Sequence, residues 1–182
     1  MSTGNARTVP SLLAAAVLLA AGSGRAAEPA APAANPLDVI PDHMPFNAPY
    51  GAPISLQRAQ AVVQAAITEA NRRGWQLNIA VVDSGANLVS FARMDGAQLA
   101  SIAICEHKAR VAVTYRRPTK TFEDAVQKSD LNYVLTLDDI IASRGGIPLI
   151  EGGKIIGAIG CSGGTGSQDE AVCSAAAATI GK

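Results

Sequence analysis

The sequence has 182 residues, of which 48% are hydrophobic and only 4% aromatic, and its 15 Lys and Arg balance its 15 Asp and Glu. This length predicts one domain with a single core, and zero formal net charge argues against a chain-wide field that would attract nucleic acid or an acidic membrane. Because the apolar residues are mostly Ala, Val, Ile and Leu, we expect small-residue helices packed closely on a sheet.

Residues 1–26 are predicted to be a secretory signal peptide. Arg7 precedes an apolar run from Leu12 to Ala21, and Gly24-Arg25-Ala26 places small residues at positions minus three and minus one of a cleavage site. The alternative is a buried or membrane-spanning helix, but the run has about half of the ~20 residues that cross a bilayer. The leader therefore predicts a periplasmic or secreted protein with no membrane span after cleavage.

Residues 27–53 are predicted to form a tether followed by an extended arm. The Pro/Ala-rich start has no periodicity, and the prolines at 41, 45, 49 and 53 exclude a regular helix or a central strand. In an oligomer the arm would lie on a neighbouring copy, with contacts from Met44, Phe46 and Tyr50.

A helix and a hairpin follow the arm. Ser55 is a good N-cap, apolar residues then recur at helical spacing, and Gly74 ends the helix. Residues 76–83 and 88–94 are strand-like, and the four residues between them favour a turn.

The second half of the chain repeats helices and a hairpin. Residues 101–116 and 121–128 are predicted to be helical, whereas 132–143 fit no single period and are left irregular. Strands at 147–151 and 154–161 flank Gly152-Gly153, and a glycine-rich loop and a last helix follow. Because no βαβ alternation is present, this order predicts an α+β fold with an antiparallel β-sheet flanked by α-helices.

The three cysteines cannot all pair within one chain. Cys161 ends a predicted strand and Cys173 lies in the helix that follows, so a disulfide between them is possible if their Cβ atoms approach to about 4 Å. Small buried thiols are the equal alternative.

Three stretches resemble, in order and spacing, the GlcG/HbpS family, which also occurs as the C-terminal domain of PduO-type proteins. They carry RMDGA within residues 80–97, a helical Lys-Ala pair within 106–119, and GGxP followed by SGGTxxQDE within 145–172. The resemblance covers about 125 residues, so we assign 54–182 to a domain of this type. It implies a profilin-like sheet, self-assembly into dimers up to octamers, and haem binding in some members. The adenosyltransferase activity of PduO belongs to another domain and is not implied.

His107 is the candidate ligand for haem iron, because imidazole is a common axial ligand and the only other histidine is His43 in the arm. Cys105 and His107 are two residues apart on a helix and point in different directions, which disfavours a shared zinc or copper site. The alternative is that His107 is an ordinary exposed residue of the helix.

Lys108 matches the family motif and lies on the apolar helix face beside Cys105, where an unpaired ammonium group would be costly. It should therefore have a partner, for which Asp83, Asp95 and Glu151 are the candidates. A structural ion pair and a cation that meets a carboxylate or a haem propionate are equally weighted interpretations.

The loop Ser162–Gly166 precedes the last helix, where backbone N–H groups can bind an anion. The favoured alternative is a tight turn in which Ser167 is the N-cap and Asp169 and Glu170 complement the helix dipole.

Three functional hypotheses follow. The first is an exported small-ligand-binding protein, with haem as the ligand, whose site lies near Met94, Asp95, His107 and Lys108 or at a subunit interface. The second is a small-molecule enzyme, a lyase or isomerase, that uses Lys108 and a carboxylate as acid/base groups. The third is a structural accessory protein without a ligand.

Overall fold

The computed structural model describes Met1 and residues 38–181, so the predicted signal peptide and the first part of the tether lie outside the described residues. The chain divides into a unit that ends at Ile40 and a second unit, Pro41–Lys182. Of the first unit, Met1 and residues 38–40 are described, and all four are exposed. The folded domain described below belongs to the second unit.

The domain is α+β, which confirms the predicted fold class. Four helices, one 3₁₀ helix and four strands follow one another in the order α1 Leu56–Arg73, β1 Asn78–Asp83, β2 Leu88–Arg93, α2 Ser101–Thr114, α3 Lys120–Ser129, the 3₁₀ helix Asn132–Thr136, β3 Gly146–Glu151, β4 Lys154–Ser162 and α4 Gly166–Ala177. The strands form one sheet in the order β2-β1-β4-β3, and all neighbours are antiparallel. None of the helices in this part of the chain is both long and apolar enough to cross a membrane.

The sheet separates two apolar layers, because successive side chains of a strand point to opposite faces. Ile79 and Val81 of β1 belong to the core shared with α1 and α4. Ala80 and Val82 pack instead with α2 on the other face. Helix α2 therefore packs against the face of the sheet opposite α1 and α4.

The ends of α1 are those that its sequence predicts. The Ser55 hydroxyl accepts a hydrogen bond from the Arg58 N–H, and Gly74 takes a left-handed conformation with φ of 70°. Both features satisfy backbone groups that a helix end leaves without partners.

Helix α2 lies directly on β4. A Cβ atom at Gly160 would be 2.0 Å from the Cys105 carbonyl oxygen and 2.7 Å from the Ala109 nitrogen. No side chain other than hydrogen fits at this position, so the helix backbone rests on the strand backbone. The small-residue packing expected from the composition is confirmed here.

The arm contacts its own chain. Gly51 and Pro49 exchange backbone hydrogen bonds with Ile155 at the start of β4. The Tyr50 hydroxyl donates to the carbonyl oxygens of Val113 and Thr114, both at 3.0 Å. The Phe46 ring lies 3.3 Å from the Arg117 guanidinium. Two of the three residues expected to contact a neighbouring copy are thus used within the chain, and the third, Met44, is exposed.

Cys161 and Cys173 form a disulfide that links β4 to α4, with their Cα atoms 5.8 Å apart. Of the two alternatives left open by the sequence, the structure has the bridge. Cys105 is a free, buried thiol, and burial raises its pKa to about 12.

Candidate functional site

Lys108 projects from α2 into a closed site beside the end of β4. Its ammonium nitrogen Nζ lies 2.8 Å from Asp169 Oδ2 of α4 and 3.3 Å from the Cys161 carbonyl oxygen. The side chains of Lys108 and Asp169 are only 2% and 3% exposed. Burial raises the pKa of the Asp169 carboxyl, and the charge of Lys108 acts in the opposite direction. The prediction that Lys108 needs a partner is confirmed, but the three candidates proposed for that role are wrong.

Two of the three rejected candidates, Asp83 and Glu151, bind other groups. Asp83 Oδ1 accepts hydrogen bonds from the Gly85 and Asn87 N–H groups and thereby shapes the β1–β2 turn. Glu151 pairs with Arg58 on the surface. The third, Asp95, follows β2, at the opposite edge of the sheet from β3.

Asp169 is held by the loop before α4. Its Oδ1 accepts a hydrogen bond from the Gly164 N–H at 3.1 Å. The N-cap of α4 is Thr165, whose side chain forms a capping box with Gln168, so the expected N-cap Ser167 is wrong by two residues. Asp169 was expected to complement the helix dipole, and its carboxylate also serves as the counter-ion of Lys108.

The GGxP motif closes the other side of this ion pair. A Cβ atom at Gly146 would be 2.2 Å from the Lys108 carbonyl oxygen. The Gly146 N–H donates to the Thr119 hydroxyl at 2.9 Å, and Thr119 is itself fully buried. The motifs around Lys108, Gly146 and Asp169 therefore converge on one packed junction of α2, β3 and α4.

This junction leaves little surface on either charged group for a substrate. Lys108 and Asp169 line neither the cavity beside His107 nor the one beside Met94. With both charges paired and enclosed, the geometry favours the structural interpretation of Lys108 over contact with a ligand carboxylate.

His107 lies on the adjacent, open side of α2. It lines a cavity of about 460 Å³, a volume within the range of about 300–1,000 Å³ for small-molecule sites. Three further α2 residues, one turn residue and one loop residue complete the wall, namely Arg110, Val111, Thr114, Ala86 and Asp139.

The hydrogen bond of His107 determines which ring nitrogen can bind a metal. Nε2 lies 2.7 Å from the Asp139 carbonyl oxygen. A carbonyl only accepts, so Nε2 carries the proton and Nδ1 of the neutral ring keeps a lone pair. Metal-binding histidines commonly donate their other N–H to such a carbonyl, which fixes the orientation of the ring.

Two wall residues have left-handed backbones although neither is glycine. Ala86 has φ of 66° and Asp139 has φ of 57°. For alanine this conformation costs roughly 1–2 kcal/mol. Strained residues of this kind are concentrated at binding sites, and here they border the cavity from two different loops.

Met94 and Asp95 line a second cavity of about 370 Å³ together with Ile67 and Asn71 of α1. Met94 also packs against the core on the α1 face of the sheet, whereas His107 lies on α2 across the sheet. The four residues proposed as one site thus lie in three places. His107 lines the first cavity, Lys108 is in the closed ion pair, and Met94 and Asp95 line the second cavity.

The cavity of His107 fits haem better than a bare metal ion. In the part of the chain that the structure describes, no three His, Cys, Asp or Glu side chains cluster to hold a metal. Haem iron needs only one or two protein ligands because the porphyrin supplies four. Arg110, 46% exposed at its side chain, adds a cation at the wall and pairs with Glu106 at 3.1 Å.

Arg110 and Asp139 are the wall residues that the sequence analysis missed. Arg110 lies three residues after His107 and so shares its helix face, a signal that was available. Asp139 lies in the segment without a clear period and gave no signal.

Comparisons with known proteins agree on one family. Residues 54–178 match the family model described as haem degrading protein HbpS-like. Protein GlcG of Escherichia coli K12 is 40% identical over 109 residues, which is 60% of this chain and 81% of GlcG.

Two crystal structures share the fold. A double mutant of Streptomyces reticuli HbpS has a TM-score of 0.67 at 26% identity and covers 83% of this chain and 100% of its own. A PduOC–haem complex has a TM-score of 0.64 at 26% identity and covers 71% of this chain and 96% of its own.

Proposed function

Because this chain belongs to the HbpS-like family, we propose that it is an exported haem-binding protein whose iron ligand is His107. The observation that carries the proposal is the 2.7 Å contact between His107 Nε2 and the Asp139 carbonyl oxygen. It holds the imidazole at the wall of a ligand-sized cavity with Nδ1 free to bind iron. Similarity to a protein solved as a PduOC–haem complex supports the choice of ligand.

The other wall residues have distinct tasks in this proposal. Arg110 would turn from its surface ion pair with Glu106 to a propionate, because a guanidinium binds carboxylates through two parallel hydrogen bonds. Ala86, which is partly exposed, would provide apolar contact for the macrocycle. When bound, haem supplies an iron centre whose reactivity depends on its axial ligand and on the polarity of the pocket.

A haemin titration of the mature protein, followed by Soret absorbance, tests the proposal. We expect saturable one-to-one binding that His107→Ala weakens at least about tenfold and that His43→Ala leaves unchanged. His43 is the matched control because it is the only other histidine and is exposed in the arm. Equal binding by the His107→Ala variant and the wild type would refute His107 as the ligand.

Met94 is tested in the same titration. Its thioether is an alternative axial ligand in the second cavity. Loss of the Soret shift in Met94→Ala but not in His107→Ala would move the site to that cavity.

Export is supported by the apolar leader and by the disulfide between Cys161 and Cys173, since disulfides persist in oxidising compartments. Expression of the full chain in a bacterium, followed by fractionation and N-terminal sequencing, tests it. We expect periplasmic or secreted protein that begins at residue 27. Retention of the leader in the cytoplasmic fraction would contradict export.

Self-association into a homo-oligomer belongs to the same proposal. Edge strand β2 presents Leu88 and Phe91, which are 44% and 37% exposed, and edge strands readily pair with other chains. Light scattering coupled to size exclusion should give a mass of at least two chains, and a monomer at micromolar concentration would contradict this.

The enzyme hypothesis has less support, because the side chains of Lys108 and Asp169 are paired and only 2% and 3% exposed, which leaves little surface for a substrate. The accessory-protein hypothesis is favoured if haemin binding proves unsaturable.

A further inference from the structure

A third cavity, of about 380 Å³, lies on the other side of α2's C-terminal end. We call it the aromatic cavity. Its wall comes from the end of α2, from α3 and from the 3₁₀ helix, and includes Tyr115, Arg117, Phe122, Tyr133, Val134 and Leu137. The haem proposal uses none of these residues.

The wall is suited to a flat apolar group. The Tyr115 and Phe122 rings are edge to face, with centroids 5.2 Å apart and planes at 78°. Tyr133 and Leu137 remain 47% and 40% exposed and form the mouth. An aromatic ligand can therefore enter from solvent and stack against ring faces or edges.

Arg117 is the cation of this cavity, and its guanidinium is held in place. The group lies 3.3 Å from the Phe46 ring centroid and 5.5 Å from that of Phe122. Its Nε donates to the Tyr115 carbonyl oxygen at 2.9 Å. The two terminal nitrogens of the guanidinium have no acceptor among the residues that the structure describes.

The charge around Arg117 is uncompensated. Neither Arg117 nor its neighbour Arg116 forms an ion pair with any residue within 38–181. Burial, followed by repulsion from Arg116, lowers the pKa of Arg117, and an anion at the site would relieve both effects.

We propose that the aromatic cavity binds a flat, apolar organic acid, with Arg117 holding its carboxylate. Aromatic rings and aliphatic side chains form most of the remaining wall, to which Thr121 adds a hydroxyl group. Such a wall suits one anionic end on an otherwise apolar body. Inorganic phosphate and polyanions lack the apolar body, and neutral arenes lack a partner for Arg117.

Isothermal titration with 1-naphthoate, and with 1-naphthamide as its neutral isostere, tests the proposal. We expect saturable 1-naphthoate binding and at least about tenfold weaker 1-naphthamide binding, since the amide carries no negative charge and has one acceptor oxygen instead of two. This comparison uses the wild-type protein and so does not depend on a variant that folds. Equal binding of the two probes, or no saturable binding, would overturn the proposal.

Arg117→Gln and Arg116→Gln form a matched pair, because both remove one positive charge but only Arg117 lines the cavity. We expect Arg117→Gln to weaken 1-naphthoate at least about tenfold, Arg117→Lys to weaken it less, and Arg116→Gln to weaken it no more than about twofold. Equal losses in the two Gln variants would overturn the role of Arg117.

Haemin distinguishes this site from the proposed haem site. Saturating 1-naphthoate should leave the haemin titration unchanged, and His107→Ala should leave 1-naphthoate binding unchanged. Full competition between the two ligands would overturn the proposal of a separate site. Failure of haemin to bind would leave the 1-naphthoate result standing.

Discussion

His107 and Lys108 are consecutive residues of α2, and yet their surroundings differ in almost every respect. Consecutive helical residues point about 100° apart, which here separates an open cavity from a closed ion pair. His107 lines an open cavity, whereas the Lys108 side chain is 2% exposed and bonded to Asp169. The comparison teaches that neighbouring residues of one helix can differ in role: Lys108 holds the fold, and His107 lies at the cavity proposed to bind haem.

The largest effect is expected from Lys108→Met, which tests the closed ion pair of Lys108 and Asp169. It leaves the Asp169 carboxylate buried without its cation, so we expect the free energy of unfolding to fall by about 3–5 kcal/mol. Urea denaturation measures it. The double variant Lys108→Met with Asp169→Asn should recover part of the loss, because no charge is then buried and the amide oxygen can still accept from Gly164. A loss below about 1 kcal/mol would place Lys108 among ordinary surface lysines.

Reduction of the disulfide tests a second support of the ion pair, because the Cys161 carbonyl oxygen accepts a hydrogen bond from Lys108. Breaking the bridge between Cys161 and Cys173 should lower the free energy of unfolding by about 2–4 kcal/mol. Urea titrations of the wild type with and without dithiothreitol give the difference. Coincident transitions would show that the bridge contributes nothing to stability.

On the open side, His107→Ala should change the free energy of unfolding by no more than about 1 kcal/mol, because the ring is half-buried and makes one hydrogen bond to Asp139. Its main effect should be on haemin. If this variant were as unstable as Lys108→Met, the contrast between the two neighbours would disappear.

The smallest effect on the free energy of unfolding at neutral pH is expected from ionisation of Cys105, whose side chain lies on the sheet-facing side of α2. Burial raises its pKa from 9.0 to about 12, so the folded state favours the neutral thiol. That contribution is complete below pH 9 and is lost as the pH rises towards 12. At pH 8 a thiol-reactive disulfide reagent should find no thiol in native protein and one per chain in urea. A native thiol that reacts at once would show that α2 opens.

Local features of this fold could be predicted from the sequence, and long-range ones could not. Ser55, Gly74 and the Gly152-Gly153 turn act on their immediate neighbours, so helix and hairpin limits followed from composition and spacing. The partner of Lys108 is 61 residues away, and sequence spacing does not tell which carboxylate a fold brings there.

The candidate site was predicted only in part for the same reason. Placing Met94 beside Lys108 required the strand order, which puts β2 and β3 at opposite edges. Placing His107 beside Asp139 required the path of residues 137–143, where no periodicity guides a prediction. What the residue types did indicate correctly is that Lys108 needs a counter-ion.

Gly160 couples the positions of His107 and Lys108, because both lie on the helix that rests on it. Since its missing side chain lets α2 rest on β4, any larger residue would lift the whole helix and shift the open cavity and the closed ion pair together. A substitution that moves this helix could therefore not alter the proposed haem site without also disturbing the junction that stabilises the fold. Ligand preference in such proteins should diverge through the loops that carry Ala86 and Asp139, while the helix between them stays where it is.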